Sequence, residues 1–424
     1  QSTGVVQPCS GSPNGRQGLP PPPLPVAQDT AGSLPVIDLT PVPPRCRRLR
    51  PIEQLMSTDR RATSPHVLVS GVVLGQPMGG VRRHNAELLP RVATLLATRG
   101  GKLSVMEGLE PIEFALPPSV TRFRTSVPLG PVWKRAILEG SSIRRLLNKP
   151  DRDFDLVHFG HLPVPRTLSI PFTLTIHDMR SIEKANSPRI ARATAERLHR
   201  SAVERAACVI TVSETVAADL VRYFDIGPER IRIVPNAADH VAVLPRDVGK
   251  DAPILHVGHV ERHKNLELLI RAVAADPYLP PLCFAGAPKG DEDRRLMALA
   301  VGLGVDRRVN FLGRFDDLAL PTLYAQAACV ALPSTIEGFG IAALEAQRAG
   351  VPLCVSGAGA LTEVAGSHVP HFAPDDPVDC ARAIRAALST PSTQLDEDRV
   401  RAARFTWRRS ADSLCEAWCS VARR

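Results

Sequence analysis

The chain has 424 residues, 44% of them apolar, and 52 basic against 43 acidic side chains give a formal charge of +9. That length accommodates more than one core at roughly 100–200 residues per domain, and no run approaches the ~20 consecutive apolar residues that a membrane-spanning helix needs. The basic excess points to anionic partners such as nucleotides, phosphates, lipid surfaces or nucleic acid, without choosing among them.

Residues 1–64 are rich in proline, including Pro20 to Pro23 and Pro25, and show no sustained periodicity. They are expected to form a disordered linker, with a polyproline ligand as the alternative. Arg45, Arg47, Arg48 and Arg50 close this stretch with a basic cluster suited to weak contact with lipid or nucleic acid. Gln1 to Gln7 carry neither the basic start nor the apolar core of a signal peptide, and the missing initiator Met suggests a processed or trimmed start. Nine cysteines, at 9, 46, 208, 283, 329, 354, 380, 415 and 419, lie mostly in apolar runs without a C-x-x-C pair. They read as reduced core residues of a cytoplasmic protein, and a structural zinc site is not expected.

From residue 65 short β-branched runs alternate with helical patterns, the texture of βα units and a parallel sheet. Predicted strands His66–Ser70, Leu156–Phe159, Phe172–Ile176, 208–212 and 230–234 belong to a first Rossmann-like α/β domain over 65–240. After a polar stretch at 245–251 the texture restarts with Ile254–Val257, Leu282–Ala285, 309–312, Cys329–Leu332 and 351–355, and with helices over 265–275 and 317–327. A second Rossmann-like domain over 241–399 and a hinge near 236–251 follow. Phe405, Trp407, Leu414, Trp418 and Val421 recur at helical spacing, which predicts an amphipathic terminal helix over 400–424 packed on a domain.

Several residues carry chemistry. Gly79-Gly80 stands between the first strand and a helical pattern, where backbone N–H groups make an anion site, although a plain turn fits equally. His259, Arg262, His263 and Lys264 share one strand-to-helix loop. Cations there oppose the helix dipole by ~0.3–1 kcal/mol each, so their clustering points to a diphosphate rather than to a solvated helix start. Asp178 reads as a helix N-cap, His177 as either a core histidine or a donor to a phosphate or sugar oxygen, and Asn236 as a turn residue or a cleft-lining hinge. Glu337 falls in a Gly-rich loop at a strand's carboxyl end, where open α/β sheets bind ligands, and Glu345 lies in the following helix. If a diphosphate rests on Lys264 and the amides of Gly338, Phe339 and Gly340, Glu337 would bond sugar hydroxyls and stabilise positive charge at an anomeric carbon. Glu345 would accept from ribose hydroxyls, or else pair with Arg348 on a helix surface.

Together these residues resemble the retaining glycosyltransferases of family 4, whose GT-B fold is two facing Rossmann-like doubly wound domains. The resemblance spans 66–424 and rests on Gly79-Gly80, on 172–178 ending in His177-Asp178, on 210–213, 231–236 and 258–266, and on Glu337 through Glu345. It implies Lys264 as the diphosphate-binding lysine, Glu337 as the donor-sugar carboxylate, Glu345 as the ribose carboxylate and His177 as the histidine beside the reaction centre. Gly80 matches the loop that closes on the diphosphate, Gly338 to Gly340 the loop whose amides hold sugar and phosphate, and the terminal helix one that crosses back to the first domain. One departure stands out. His259 replaces an arginine common in relatives and His263 another basic residue, so Arg262 is expected to supply charge from a shifted position, and neutral histidine would weaken the clamp above a pKa near ~6.5.

The implied activity moves a hexose from a GDP-, UDP- or dTDP-sugar, GDP-mannose foremost, to a hydroxyl of a glycan or lipid-linked acceptor. Neither a metal nor another cofactor is implied, and no nucleic-acid partner is expected. A nucleotide-sugar epimerase or hydrolase of the same fold is the first alternative, and a non-enzymatic basic binding protein the second. Basic helices around Trp133 and over 189–205 suggest peripheral contact with the inner face of an anionic membrane, with a solvated helix face as the alternative.

Overall fold

The computed structural model describes residues 64–75, 79–183 and 189–423. The proline-rich stretch, the Arg45, Arg47, Arg48 and Arg50 cluster, Cys9 and Cys46 lie outside the described residues.

The first lobe runs β1 (His66–Ser70), α1 (Gly80–Thr98), β2 (Lys102–Glu107), β3 (Thr121–Arg124), α2 (Val132–Leu147), β4 (Leu156–Phe159), β5 (Phe172–Ile176), α3 (Arg180–Glu183), α4 (Arg189–Arg205), β6 (Cys208–Thr211), α5 (Glu214–Phe224) and β7 (Ile231–Ile233). Its seven strands form a parallel sheet in the order β3-β2-β1-β4-β5-β6-β7. The second lobe runs β8 (Ile254–Val257), α6 (Leu266–Ala275), β9 (Leu282–Ala285), α7 (Glu292–Gly302), β10 (Val309–Gly313), α8 (Leu320–Gln326), β11 (Cys329–Leu332), α9 (Ile341–Ala349), β12 (Leu353–Ser356), α10 (Leu361–Ala365), β13 (His371–Phe372) and α11 (Pro377–Leu388). Its strand order is β10-β9-β8-β11-β12-β13, again parallel. The central strands are buried along their whole length, which is why they read as short continuous apolar runs rather than as alternating ones.

β2, β3 and the two-residue β13 were not among the predicted strands, and composition explains the absence of the first two. β2 buries Ser104 and Glu107, whose partners are the His66 ring and the Arg122 guanidinium on neighbouring strands. Once paired, these polar groups can sit inside a sheet, but along the chain they hide the apolar signature.

The terminal segment is two helices, α12 (Ser392–Ala402) and α13 (Trp407–Ala422), and not one helix over 400–424. Residues 400–402 finish α12, Phe405 lies in the connection, and the Thr406 hydroxyl caps α13 by accepting from the Arg409 N–H. α13 returns to the first lobe and packs along α1. Trp407, Leu414, Trp418 and Val421 enter the same core cluster as Val67, Leu88 and Val105. Trp407 and Trp418 are completely buried there.

Each sheet reverses its strand order beside its first strand, between β1 and β4 in one lobe and between β8 and β11 in the other. At such a switch point the two loops leave in opposite directions and open a crevice at the carboxyl edge. The lobes, which belong to one compact unit, meet across these edges. The Ser213 hydroxyl donates to the Gly338 carbonyl at 2.7 Å, and the Glu363 carboxylate accepts from the N–H groups of Glu214 and Thr215 at the start of α5. A carboxylate at a helix N-terminus satisfies free donors and the dipole together.

Candidate active site

The loops after β1, β4, β5, β8 and β11 converge on a cleft of about 780 Å³ between the lobes. The second lobe supplies the floor. Lys264, at the end of a short 3-10 turn after β8, donates to Glu337 Oε2 at 2.6 Å, and the Ser334 hydroxyl reaches the same oxygen at 3.1 Å. Burial pushes the Glu337 carboxyl up, but the charge and hydrogen bond of Lys264, with the charges of His263 and Arg180, together hold the group below the usual carboxylate range. The two charged side chains remain 17% and 19% exposed, so both are open to the cleft.

Above them stands the first lobe. His177 follows β5 and is half-buried, and its Nε2, shut off from solvent, has no hydrogen-bond partner among the described residues. Burial, and then the neighbouring His84 ring, hold His177 well below the ordinary histidine pKa. His84 packs edge-on to it with ring centroids 4.8 Å apart, and its Nδ1 bonds Asn236 Oδ1 at 2.7 Å. Asn236 thus lines the cleft and orients a histidine. Gly79 enters α1 with φ +138°, and a Cβ built on it would lie 3.9 Å from His259 across the cleft. Gly80 begins the helix and lines the same wall.

The loop from Glu337 to Gly340 is pressed against the first lobe. A Cβ on Gly338 would meet the His177 carbonyl oxygen at an impossible 1.8 Å, so only glycine lets these two backbones touch. The Phe339 side chain is buried with its ring near Phe405, which leaves its backbone to face the cleft, and Gly340 precedes α9 in the left-handed conformation, φ +84°.

Glu345 is buried rather than on a helix surface, so the pairing with Arg348 does not form. Its two oxygens are held by His240 Nε2 at 2.9 Å and by the Tyr324 hydroxyl at 2.6 Å. Burial pushes its pKa up, and the hydrogen bonds from His240 and Tyr324, together with the nearby charges of His240 and Arg83, more than offset that. The Trp407 indole N–H donates to His240 Nδ1, which places the His240 proton on Nε2, facing Glu345. The carboxylate is therefore fixed in orientation.

One expected member is misplaced. Arg262 opens the 3-10 turn, its side chain is 83% exposed, and it pairs with Glu292 outside the cleft. Successive residues in such a turn point about 120° apart, so Arg262 and Lys264 cannot share one direction with His263 between them. His263 is buried, with Nε2 3.0 Å from Arg180 Nη1. His259 lines the cleft, and burial, followed by the charge of Lys289, lowers its pKa below 6.5.

Five cations that line the cleft were absent from the sequence expectation: Arg82 and Arg83 in the first turn of α1, Arg180 at the start of α3, Lys289 after β9 and Arg314 after β10. Glu261 was also missed. Burial raises its pKa, yet hydrogen bonds and charge from His263 and Lys289 bring it down to about 2. The available signal for Arg180 was its position three residues after His177. Among the described residues no group of three or more His, Cys, Asp or Glu is placed to hold a metal ion, and no helix is long and apolar enough to cross a membrane.

Residues 78–241 match the family model described as Glycosyltransferase Family 4, and residues 245–405 the one described as Glycosyl transferases group 1. The chain belongs to these glycosyltransferases. This family member is 33% identical over 235 residues to D-inositol 3-phosphate glycosyltransferase of Saccharomonospora viridis, an alignment covering 49% of the chain and 54% of that relative. The match thus spans about half the length of that relative. Among solved structures, sucrose-phosphate synthase from Thermosynechococcus elongatus superposes with a TM-score of 0.70 at 21% identity, covering 83% of this chain and 98% of that one. Anabaena HepE in complex with UDP and glucose gives 0.61 at 18% identity, covering 84% and 100%. These likenesses establish the GT-B fold for this chain.

Proposed function

We propose that this glycosyltransferase moves a hexose, with retention, from a nucleotide-diphosphate sugar to a hydroxyl of a glycan or lipid-linked acceptor. The observation that carries the proposal is the meeting of Lys264 and Glu337, from the two switch-point loops of the second lobe, in the cleft where His177 of the first lobe also stands. In such a reaction the bond from the anomeric carbon to the diphosphate breaks and the acceptor oxygen bonds that carbon on the same face. The acceptor proton passes to the departing phosphate oxygen. Lys264 neutralises the charge that grows on the leaving group, Glu337 accepts from sugar hydroxyls and faces the positive anomeric carbon, and neutral His177 offers a hydrogen bond to the sugar. None of these steps draws on a metal.

The family resemblance favours GDP-mannose, and the UDP and glucose bound to HepE keep UDP-glucose beside it. Contact with an anionic lipid surface fits α2, which exposes Val132, Trp133 and Ile137 beside Lys134, Arg144, Arg145 and Lys149. That surface suits a lipid-linked acceptor and a peripheral place on the inner face of a cytoplasmic membrane. Calorimetric titration with a panel of nucleotide sugars tests the proposal, and the anomeric configuration of the product by NMR tests retention.

His259 makes donor binding pH-dependent. Its pKa in the free protein lies below 6.5, and a bound diphosphate raises it, so donor binding takes up a proton. The donor KM is therefore expected to fall as pH drops from about 7.5 to 5.5, because nucleotide sugars themselves keep their charge over that range. His259→Arg should lower KM at pH 7.5 and flatten the profile.

A further inference from the structure

We propose that Arg180, from the first lobe, supplies the second cation of the donor diphosphate site, a place that His259 and the outward-facing Arg262 leave unfilled. The inference rests on the nucleotide-sugar reading above. Arg180 begins α3, three residues past His177, and its side chain lines the cleft together with Lys264 and Glu337. Its guanidinium is held at two of three nitrogens. Nε donates to Asp178 Oδ2 at 2.8 Å and Nη1 to His263 Nε2 at 3.0 Å, with Glu261 Oε1 3.8 Å from Nη1. Nη2 has no partner among the described residues, and the side chain is 35% exposed to the cleft.

Charge counting shows what this residue decides. The cleft is lined by six Lys and Arg side chains and five Asp and Glu, so without Arg180 the two signs only balance. Arg180 tips the lining to a net positive charge, as an anionic diphosphate requires. Its planar fork faces the cleft with one arm uncommitted. The Asp178 and His263 contacts fix the fork beforehand, so little side-chain freedom remains to be lost on binding. Because Arg180 and Lys264 belong to different lobes, the diphosphate would bridge them, and donor affinity would depend on the lobes being closed.

The test is calorimetric titration of the full chain with GDP and UDP, and competition with guanosine and uridine, for the native protein, Arg180→Ala and Arg180→Lys. Arg180→Ala is expected to weaken the better diphosphate by about 10- to 100-fold while the matching nucleoside changes by less than about twofold. Arg180→Lys, which keeps the charge and loses the fork, should fall between. Unchanged diphosphate affinity in Arg180→Ala, or equal loss for diphosphate and nucleoside, would assign Arg180 a role confined to packing the lobes and overturn the inference alone. A native protein that binds neither diphosphate overturns the nucleotide-sugar reading, and the inference with it.

Discussion

Lys264→Ala lowers kcat/KM for the donor by about 10²- to 10³-fold, the range seen when one preorganised charge partner of a transition state is removed. Glu337→Gln, nearly isosteric, is expected to cost a similar factor. Both residues are parts of one 2.6 Å pair, so the geometry alone allows a merely structural salt bridge, and stability measurements separate the cases. A structural pair deep in a core costs about 3–5 kcal/mol when one member is removed, because the survivor is stranded. Here neither side chain is stranded: each is nearly a fifth exposed to the cleft, and Glu337 keeps the Ser334 hydroxyl. Thermal unfolding of both variants should therefore stay within a few degrees of the native chain while transfer collapses. The reverse pattern, active but unstable variants, would make the pair a brace.

Acid should unfold the chain steeply. Burial holds His84 at about 4, His158 and His256 at about 3, and His177 well below 6.5. All four are neutral in the folded protein, bonded or packed in places such as the His84–Asn236 and His158–Thr173 pairs. In the unfolded chain they protonate near 6.5. Their contribution to stability is complete above that pH and is lost as pH falls towards the folded values, because the unfolded state alone takes up the protons. Each histidine contributes about 1.4 kcal/mol per pH unit, so four amount to roughly 5 kcal/mol per unit between pH 6 and 4, against a total stability of about 5–15 kcal/mol. Glu261, held at about 2, adds to the loss below its free value. Circular-dichroism melts from pH 8 to 4.5 should show Tm nearly constant above 7 and falling sharply below 6. A flat Tm between 7 and 5 would mean that these rings are hydrated in solution.

Much of the scaffold was legible in the sequence because parallel strands buried on both faces must be short apolar runs. All ten predicted strands correspond to strands of the two sheets within a residue or two. β2 and β3 were hidden by Ser104, Glu107 and Arg122, whose suitability for a sheet depends on cross-strand partners that a linear sequence does not display. The break at Phe405 and Thr406 was hidden because an apolar stripe continues in register across it. In the cleft, Lys264, Glu337 and the glycines were legible, since strand-end loops at a switch point can only face the crevice. Arg262 was not, because a 3-10 turn rotates neighbouring side chains to different sides. Arg180 could not be found that way: it lies in a helix start of one lobe and acts on a loop of the other, 83 residues on, through His263.

The most direct test is titration of the intact chain with GDP-mannose, UDP-glucose and a dTDP-sugar, repeated with Lys264→Ala. At least one donor should bind the native chain with micromolar affinity and bind the variant at least about tenfold more weakly. A native chain that binds none of the three, or a variant that binds as well as the native chain, contradicts a nucleotide-sugar site at Lys264 and Glu337.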